Sequence, residues 1–350
     1  MRTLFDKTKI GTMELKNRLI RAAAGDRYAV NGHMTEKDLQ VYEELAKGGV
    51  GAIITGYTYI LDSDIPSEGS FGIYDDSFIP EYKKLTDMVH EYDSKIILQL
   101  VHYGSHASGE IGNKRVLAPS AVALEYRGIE ITPEEMSKED IKHIKKAFAE
   151  AAVRAKKAGF DGVELHSAHG FLLNQFLTPY YNRRTDEYGG TIENRARMVL
   201  ETYSEVREAV GNEYPIFVKI NCMDGIDQGI TYEGLSYTCK ELANKGVNAI
   251  EISGAWYQLF NSKDEFYFKE YTEKIAAENN IPVILVGGNR NFDSMSNILN
   301  ETSIEYFAMC RPLISEPHLV KRWEGRDTSK TKCVSCNGCL GKGKCILNKN

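Results

Sequence analysis

No stretch of this 350-residue chain stays apolar long enough to cross a bilayer; its most apolar runs, such as Ala52-Ile53-Ile54 and Val283-Ile284-Leu285-Val286, are of strand length. The opening Met1-Arg2-Thr3-Leu4-Phe5-Asp6-Lys7 lacks the apolar segment of a signal peptide, so a soluble, cytoplasmic protein with no membrane association is expected. Charge of one sign is concentrated nowhere. With 43 basic and 49 acidic residues the net charge is −6 and there is no arginine-rich block, which argues against nucleic acid as a partner. Low-complexity segments are missing, and 42% hydrophobic with 26% charged residues is ordinary globular usage, which excludes disorder and collagen-like architectures. Neither G-x-x-x-x-G-K-[ST] nor G-x-G-x-x-G occurs, so nucleotide binding by those loops is unsupported. Proline is sparse, nine in all, and each falls in an expected loop or at an element end. The seven cysteines are not spread as a disulfide framework requires. Cys222, Cys239 and Cys310 lie apart, while Cys333, Cys336, Cys339 and Cys345 crowd the last eighteen residues, which fits a reduced compartment and a metal-binding tail.

What is present is a repeat of short β-branched runs, each followed by a longer stretch of helical period. The candidate strands are Arg18–Ala24, Ala52–Ile60, Lys95–His102, Gly162–His169, Ile216–Cys222, Ala249–Gly254, Pro282–Gly288 and Tyr306–Arg311. They read as nearly continuous Ile, Val and Leu, as parallel strands covered on both faces do. Thr132-Pro133-Glu134-Glu135 has a capping-box pattern with proline at the first position, and Ser137, Thr191 and Thr231 are further N-cap candidates. After Ser137, Ile141, Ile144, Phe148, Ala152 and Ala155 share one face, and Gly159 stops the helix. Eight such units in order predict a TIM (β/α)8 barrel over residues 1–324, with a doubly wound sheet as the alternative. A short cysteine-rich C-terminal tail, residues 325–350, follows. Ser105–Met136 is too long for an ordinary connection and is expected to cross the barrel mouth.

Barrel active sites form at the C-terminal ends of the strands, and the unusual polar residues fall there: Gln99 and His102, His166 and His169, Lys219 and Asn221, Asn289 and Arg290, Arg311. Gly287-Gly288 frees backbone N–H groups for an anion and Arg311 adds a two-pronged cation, which together predict a phosphate site; otherwise the glycines only turn the chain and Arg311 meets a carboxylate. His166-x-x-His169 has no evident third ligand, so the pair reads as hydrogen-bond donors toward a carbonyl or developing oxyanion rather than as metal ligands. Lys219, in a strand that otherwise reads as core, requires a negative partner, whether a ligand or a neighbouring carboxylate.

Two runs resemble the Old Yellow Enzyme family: GFDGVELHSAHGFLLNQFLTP from Gly159 and NRRTDEYGGTIENR from Asn182. So do Leu15-Lys16-Asn17-Arg18-Leu19-Ile20, the Gln99-Leu-x-His102-x-Gly104 element and Arg311-Pro312-Leu313-Ile314. The resemblance spans roughly Leu4 to Trp323 and is nearest the branch containing the FMN barrel of bacterial 2,4-dienoyl-CoA reductase. It implies a barrel holding FMN, reduced by NAD(P)H and passing hydride to the β-carbon of an activated alkene. By position it places the backbone of Ala22, Ala23 and Ala24 along the flavin ring, Gly56 and Gln99 at the ring edge, and Lys219 near N1 and O2. Gly287, Gly288, the Cys310 backbone and Arg311 are placed at the phosphate, and His166 and His169 at the carbonyl or phenolate oxygen of a small-molecule substrate.

The chain departs from the family in two places. Two residues after His169 the family carries a proton-donating tyrosine; here it is Phe171, so the proton must come from water or another tyrosine, with Tyr28 and Tyr103 as candidates. The tail spacing Cys333-x2-Cys336-x2-Cys339-x5-Cys345 is shorter than the iron–sulfur pattern of the dienoyl-CoA reductase branch. It is read as a [4Fe–4S] or zinc site, with free thiols as the alternative. A cluster would admit a separate ferredoxin-like electron donor, and a homo-oligomer is also allowed. Two other readings compete with an oxidoreductase. One is a flavin-binding redox sensor or electron-transfer subunit; the other is a metal-dependent lyase or aldolase using Lys219 as a Schiff base or the histidines as ligands.

Overall fold

The computed structural model describes residues 1–255, 264–339 and 342–348. Eight parallel strands follow one another round a closed barrel: β1 (Leu19–Arg21), β2 (Ala52–Ile54), β3 (Lys95–Val101), β4 (Gly162–Ser167), β5 (Ile216–Asn221), β6 (Ala249–Ser253), β7 (Val283–Val286) and β8 (Tyr306–Met309). Each pairs with the next, and β8 returns to β1 with Phe307 opposite Leu19, leaving no edge. Helices α1 (Glu36–Lys47), α2 (Ile79–His90), α3 (Lys138–Lys157), α4 (Ile192–Val210), α5 (Tyr232–Asn244), α6 (Lys269–Glu278), α7 (Phe292–Glu301) and α8 (Leu319–Glu324) cover the outside. This is the expected TIM barrel. The strands are buried on both faces because the helices lay their apolar stripes on them: Ile141, Ile144, Phe148, Ala152 and Ala155 of α3 are all buried.

Ser137, Thr191 and Thr231 each cap a helix, accepting from the backbone N–H of Asp140, Asn194 and Gly234. Thr132-Pro133-Glu134-Glu135, expected to start a helix, does not. Glu134–Glu135 instead pairs in parallel with Leu117–Ala118, because Ser137 and Asp140 complete the capping box next to the apolar face. The second strand also ends sooner than its Ala52–Ile60 run of residues suggests. The Gly56 N–H is taken by Tyr42 Oη at 2.9 Å, and Thr58–Tyr59 resumes pairing farther along β3 and with Phe71–Gly72. The Ser105–Met136 excursion carries a hairpin, Leu124–Tyr126 with Ile129–Ile131, whose tip residues Tyr126 and Arg127 reach the barrel mouth.

Beyond α8 the tail turns back over that mouth. Arg290 Nη1 donates to Ser335 Oγ at 2.6 Å and Arg311 Nη1 to Asn337 Oδ1 at 2.5 Å, so two arginines from the ends of β7 and β8 hold it there.

Candidate active site

Alternation along the strands sends every second side chain into the barrel. On β3, β4, β5 and β6 this points Gln99, Glu164, His166, Lys219, Glu251 and Ser253 inward, with Glu164 in register with Gln99, His166 with Lys219, and Lys219 with Glu251. Lys219 Nζ lies 2.7 Å from Glu251 Oε1, both fully enclosed, and Gln99 Nε2 donates to Glu164 Oε2 at 2.6 Å. Burial opposes the charge on Lys219, but Glu251 and Glu164 outweigh it and raise its pKa, so the side chain stays cationic. Burial, reinforced by Glu251, pushes the Glu164 carboxyl well above the usual range. The carboxylate partner that a buried lysine demands is therefore internal, and the ammonium remains a fixed charge at the floor of the site.

Above this layer is a cavity of about 560 Å³. It brings together Ala22, Ala23, Ala24, Gln99, His166, His169, Lys219, Gly287, Gly288, Cys310 and Arg311, all residues expected from the sequence. Gly56 is not among them. Its Tyr42 contact and the Ala24 carbonyl oxygen, which would stand 2.7 Å from a Cβ at this position, place it behind the Ala22–Ala24 segment. That segment is braced by a buried Arg21–Asp26 ion pair at 3.0 Å, with Tyr42 Oη donating to Asp26 Oδ2 at 2.8 Å.

His166 and His169 meet edge to face, ring centroids 5.1 Å apart. The Ala168 N–H donates to His166 Nδ1 at 3.3 Å, which leaves the proton on Nε2; His169 Nε2 lies 2.8 Å from Ser253 Oγ. Burial, then the neighbouring His169 and Lys219 charges, lower His166 well below an ordinary imidazole, and burial with Lys219 lowers His169 to about 3. Both rings are neutral at neutral pH, and each therefore carries a single N–H.

The far end of the cavity suits an anion. Gly287 (φ 96°) and Gly288 (φ 78°) adopt the left-handed region, and a Cβ at Gly288 would stand 2.6 Å from the Phe266 nitrogen, so only glycine lets the two loops pass. Arg311 spans this end, its Nη2 donating to Tyr267 Oη at 3.0 Å. The buried oxygens Gln99 Oε1 and Asn289 Oδ1 have no partner among the described residues. A ligand with a flat polar ring at one end and a phosphate at the other matches this set, the orphaned Gln99 oxygen accepting from the ring and the glycine pair with Arg311 taking the anion.

Several expected residues lie elsewhere. Tyr28 is off the cavity, its ring 5.8 Å from Lys37 Nζ, and Tyr103 is buried with its hydroxyl on Ser67 and Ser70. Among the described residues no three His, Cys, Asp or Glu side chains gather as a metal site. Cys333 and Cys339 line the cavity while Cys336 is exposed, and Arg290 and Arg311 bond the intervening Ser335 and Asn337. The same observation corrects a metal role for His166 and His169, and the cationic Lys219 lacks the free amine a Schiff base needs. Sequence reasoning missed Arg27, Tyr57, Tyr126 and Arg127 on the wall. Tyr57 was readable in principle, since Gly56 in a β-branched run marks a strand end.

Residues 3–328 match the family model described as "NADH:flavin oxidoreductase / NADH oxidase family". The chain is similar to a metal reductase of Desulforamulus reducens, 36% identical over 349 residues, covering 97% of this chain and 52% of that protein. It is also similar to an NADPH dehydrogenase of Bacillus velezensis, 34% identical over 323 residues, covering 91% and 94%. Among solved structures, a 2-naphthoyl-CoA reductase complex superposes with a TM-score of 0.89 at 26% identity, covering 96% of this chain and 54% of that one. The chain thus spans about half the length of the first of these relatives.

Proposed function

The chain belongs to the NADH:flavin oxidoreductase / NADH oxidase family, the Old Yellow Enzyme group, and from that premise we propose that it is an FMN-dependent enzyme passing hydride from NAD(P)H to an unsaturated carbonyl or related small molecule. FMN supplies the hydride carrier. Ala22, Ala23 and Ala24 would support its ring, Gln99 and Lys219 would meet its polar edge, and Gly287, Gly288, the Cys310 backbone and Arg311 would hold its phosphate. Lys219, kept charged by Glu251, would offset negative charge on a reduced flavin ring.

The observation that carries the reading is the neutral His166–His169 pair beside that cation. Two neutral donors bind a carbonyl oxygen modestly and the enolate formed as hydride reaches the β-carbon more strongly, so they act mainly on the transition state. The test is anaerobic. Flavin released on denaturation is expected to be FMN, and NADPH or NADH is expected to bleach the bound flavin, with an enone restoring its absorbance. Protein that cannot be loaded with FMN, or whose flavin neither nicotinamide nor reduced ferredoxin bleaches, overturns the reading. His166→Ala is expected to weaken a bound phenol at least tenfold while FMN stays bound, measured by the phenol's charge-transfer band.

Five further readings accompany this one. Residues 1–324 form the catalytic barrel and 325–350 an appended tail. The tail's metal is supported by cysteine spacing alone and needs the thiols drawn together from their present positions; iron and zinc assays on anaerobically purified protein test it. A ferredoxin-like donor belongs with that metal. No described helix is long and apolar enough to cross a membrane, which is compatible with a cytoplasmic location, and a homo-oligomer is open to sedimentation.

A further inference from the structure

Reducing a carbon–carbon double bond takes a proton as well as a hydride, and Phe171 has none to give. Among the described residues the hydroxyls on the cavity wall belong to Tyr57, Tyr126, Ser253, Tyr267 and Ser335. Ser253 is committed to His169, and Tyr267 and Ser335 are engaged by Arg311 and Arg290 at the anion end. Tyr126 rises from the excursion and lays its ring flat on His106, centroids 4.2 Å apart.

Tyr57 is placed differently. Its ring lies 5.7 Å from Phe171, whose ring is 4.7 Å from His166, so it is one ring removed from the histidine pair. A Cβ on Gly25 would stand 2.9 Å from Tyr57 Oη, which sets the phenol tip against the backbone immediately after Ala22–Ala24. Arg27 Nη2 donates to Tyr57 Oη at 3.3 Å. Behind it Ser67 Oγ lies at 3.5 Å, and Ser67 is in turn 3.2 Å from both Ser70 Oγ and Tyr103 Oη.

We propose that Tyr57 is the general acid that replaces the tyrosine missing at Phe171, an inference that rests on the ene-reductase reading above. Hydride supplied from NAD(P)H by way of FMN forms the new C–H bond at the β-carbon and the π electrons move to the α-carbon and carbonyl oxygen, which His166 and His169 hold. The α-carbon takes the proton of Tyr57 as its O–H bond breaks, giving the saturated carbonyl compound and a phenolate. The Arg27 guanidinium stabilises that phenolate, and a proton from water returns through the Ser67, Ser70 and Tyr103 hydroxyls.

The test compares wild type with Tyr57→Phe, both loaded with FMN, on 2-methyl-2-cyclohexen-1-one and on menadione. The enone must be protonated on carbon, creating a stereocentre at the α-position; the quinone needs no carbon protonation. The ratio of enone to quinone turnover is expected to fall about 100-fold in Tyr57→Phe, within the range for loss of a general acid. The α-stereocentre, set by one face in wild type, is expected to scramble. Adding Phe171→Tyr to Tyr57→Phe is expected to restore the ratio at least tenfold. An unchanged ratio and unchanged stereochemistry overturn the proposal, as does a wild type that reduces menadione but no enone. Should Tyr57→Phe fail to hold FMN, Arg27→Met reads the same step: a ratio lowered about tenfold supports it and an unchanged one overturns it. Failure of NAD(P)H to bleach the wild-type flavin sinks the parent reading instead, so the two are told apart.

Discussion

His169 shows how one residue can serve chemistry at the expense of acid stability. Its left-handed backbone (φ 59°) is fixed by the N–H bond to Asn221 Oδ1 at 3.2 Å, and burial beside Lys219 keeps the ring neutral down to about pH 3. An unfolded histidine takes up a proton near pH 6.5, so between that value and about 3 the unfolded chain binds more protons than the folded one. Stability from this group is therefore full above about pH 6.5 and is lost progressively as pH falls towards 3. Acidifying from pH 7 to pH 5 is expected to cost about 2 kcal/mol through His169, and His169→Asn should flatten the slope by that amount. Urea midpoints of both proteins at the two pH values measure it; parallel slopes would refute it. The histidine pair was legible in the sequence because two imidazoles end one strand. Their neutrality was not, since it comes from burial inside the closed barrel and from Lys219 on the neighbouring strand β5.

At the scale of elements, the order of eight strands could be read from runs of Ile and Val, while their ends could not. Gly56 marks where the Ala52–Ile60 run of residues breaks, but nothing in the run shows that Thr58–Tyr59 pairs with a new stretch of β3; that switch depends on Tyr42, one helix away, capturing the Gly56 N–H. Thr132 and Ser137 both have capping chemistry; Ser137 with Asp140 caps the helix, and Glu134–Glu135 goes into strand pairing. The Gly287–Gly288 turn is the clearer case, because its demand for glycine has two separable causes. Gly288 and Gly190 both have φ near +80°, but a Cβ at Gly190 would meet nothing within 4 Å, whereas at Gly288 it would stand 2.6 Å from the Phe266 nitrogen. Gly190→Ala should cost about 1 kcal/mol from backbone strain alone. Gly288→Ala should cost roughly 1–3 kcal/mol more by displacing the 264–268 loop, and should weaken FMN at least tenfold. Thermal midpoints and FMN titrations of the two variants check this; equal effects would mean that the close loop approach does not matter.

Across the whole molecule, the net charge of −6 says little about the field a ligand meets. The cavity wall carries Arg27, Arg127, Lys219, Arg290 and Arg311, and no Asp or Glu among its described residues, so the acidic surface surrounds a basic mouth. Carboxylates off the wall balance two of these cations: buried Glu251 against Lys219, and half-buried Glu265 against Arg290 at 3.3 Å. Net charge read from composition averages over this segregation, which arises only when the barrel gathers the ends of β5, β7 and β8 with the loops after β1 and β3. A basic concavity in a low-dielectric wall draws anions inward, and salt weakens that pull once the Debye length falls to about 10 Å, near 0.1 M. The association rate of FMN with the apoprotein is therefore expected to fall roughly tenfold between about 20 mM and 500 mM salt. Riboflavin, which has the same ring and no phosphate, should associate at a nearly constant rate over that range. Stopped-flow quenching of flavin fluorescence measures both, and matching salt slopes would mean that the arginines at the mouth do not recruit the phosphate.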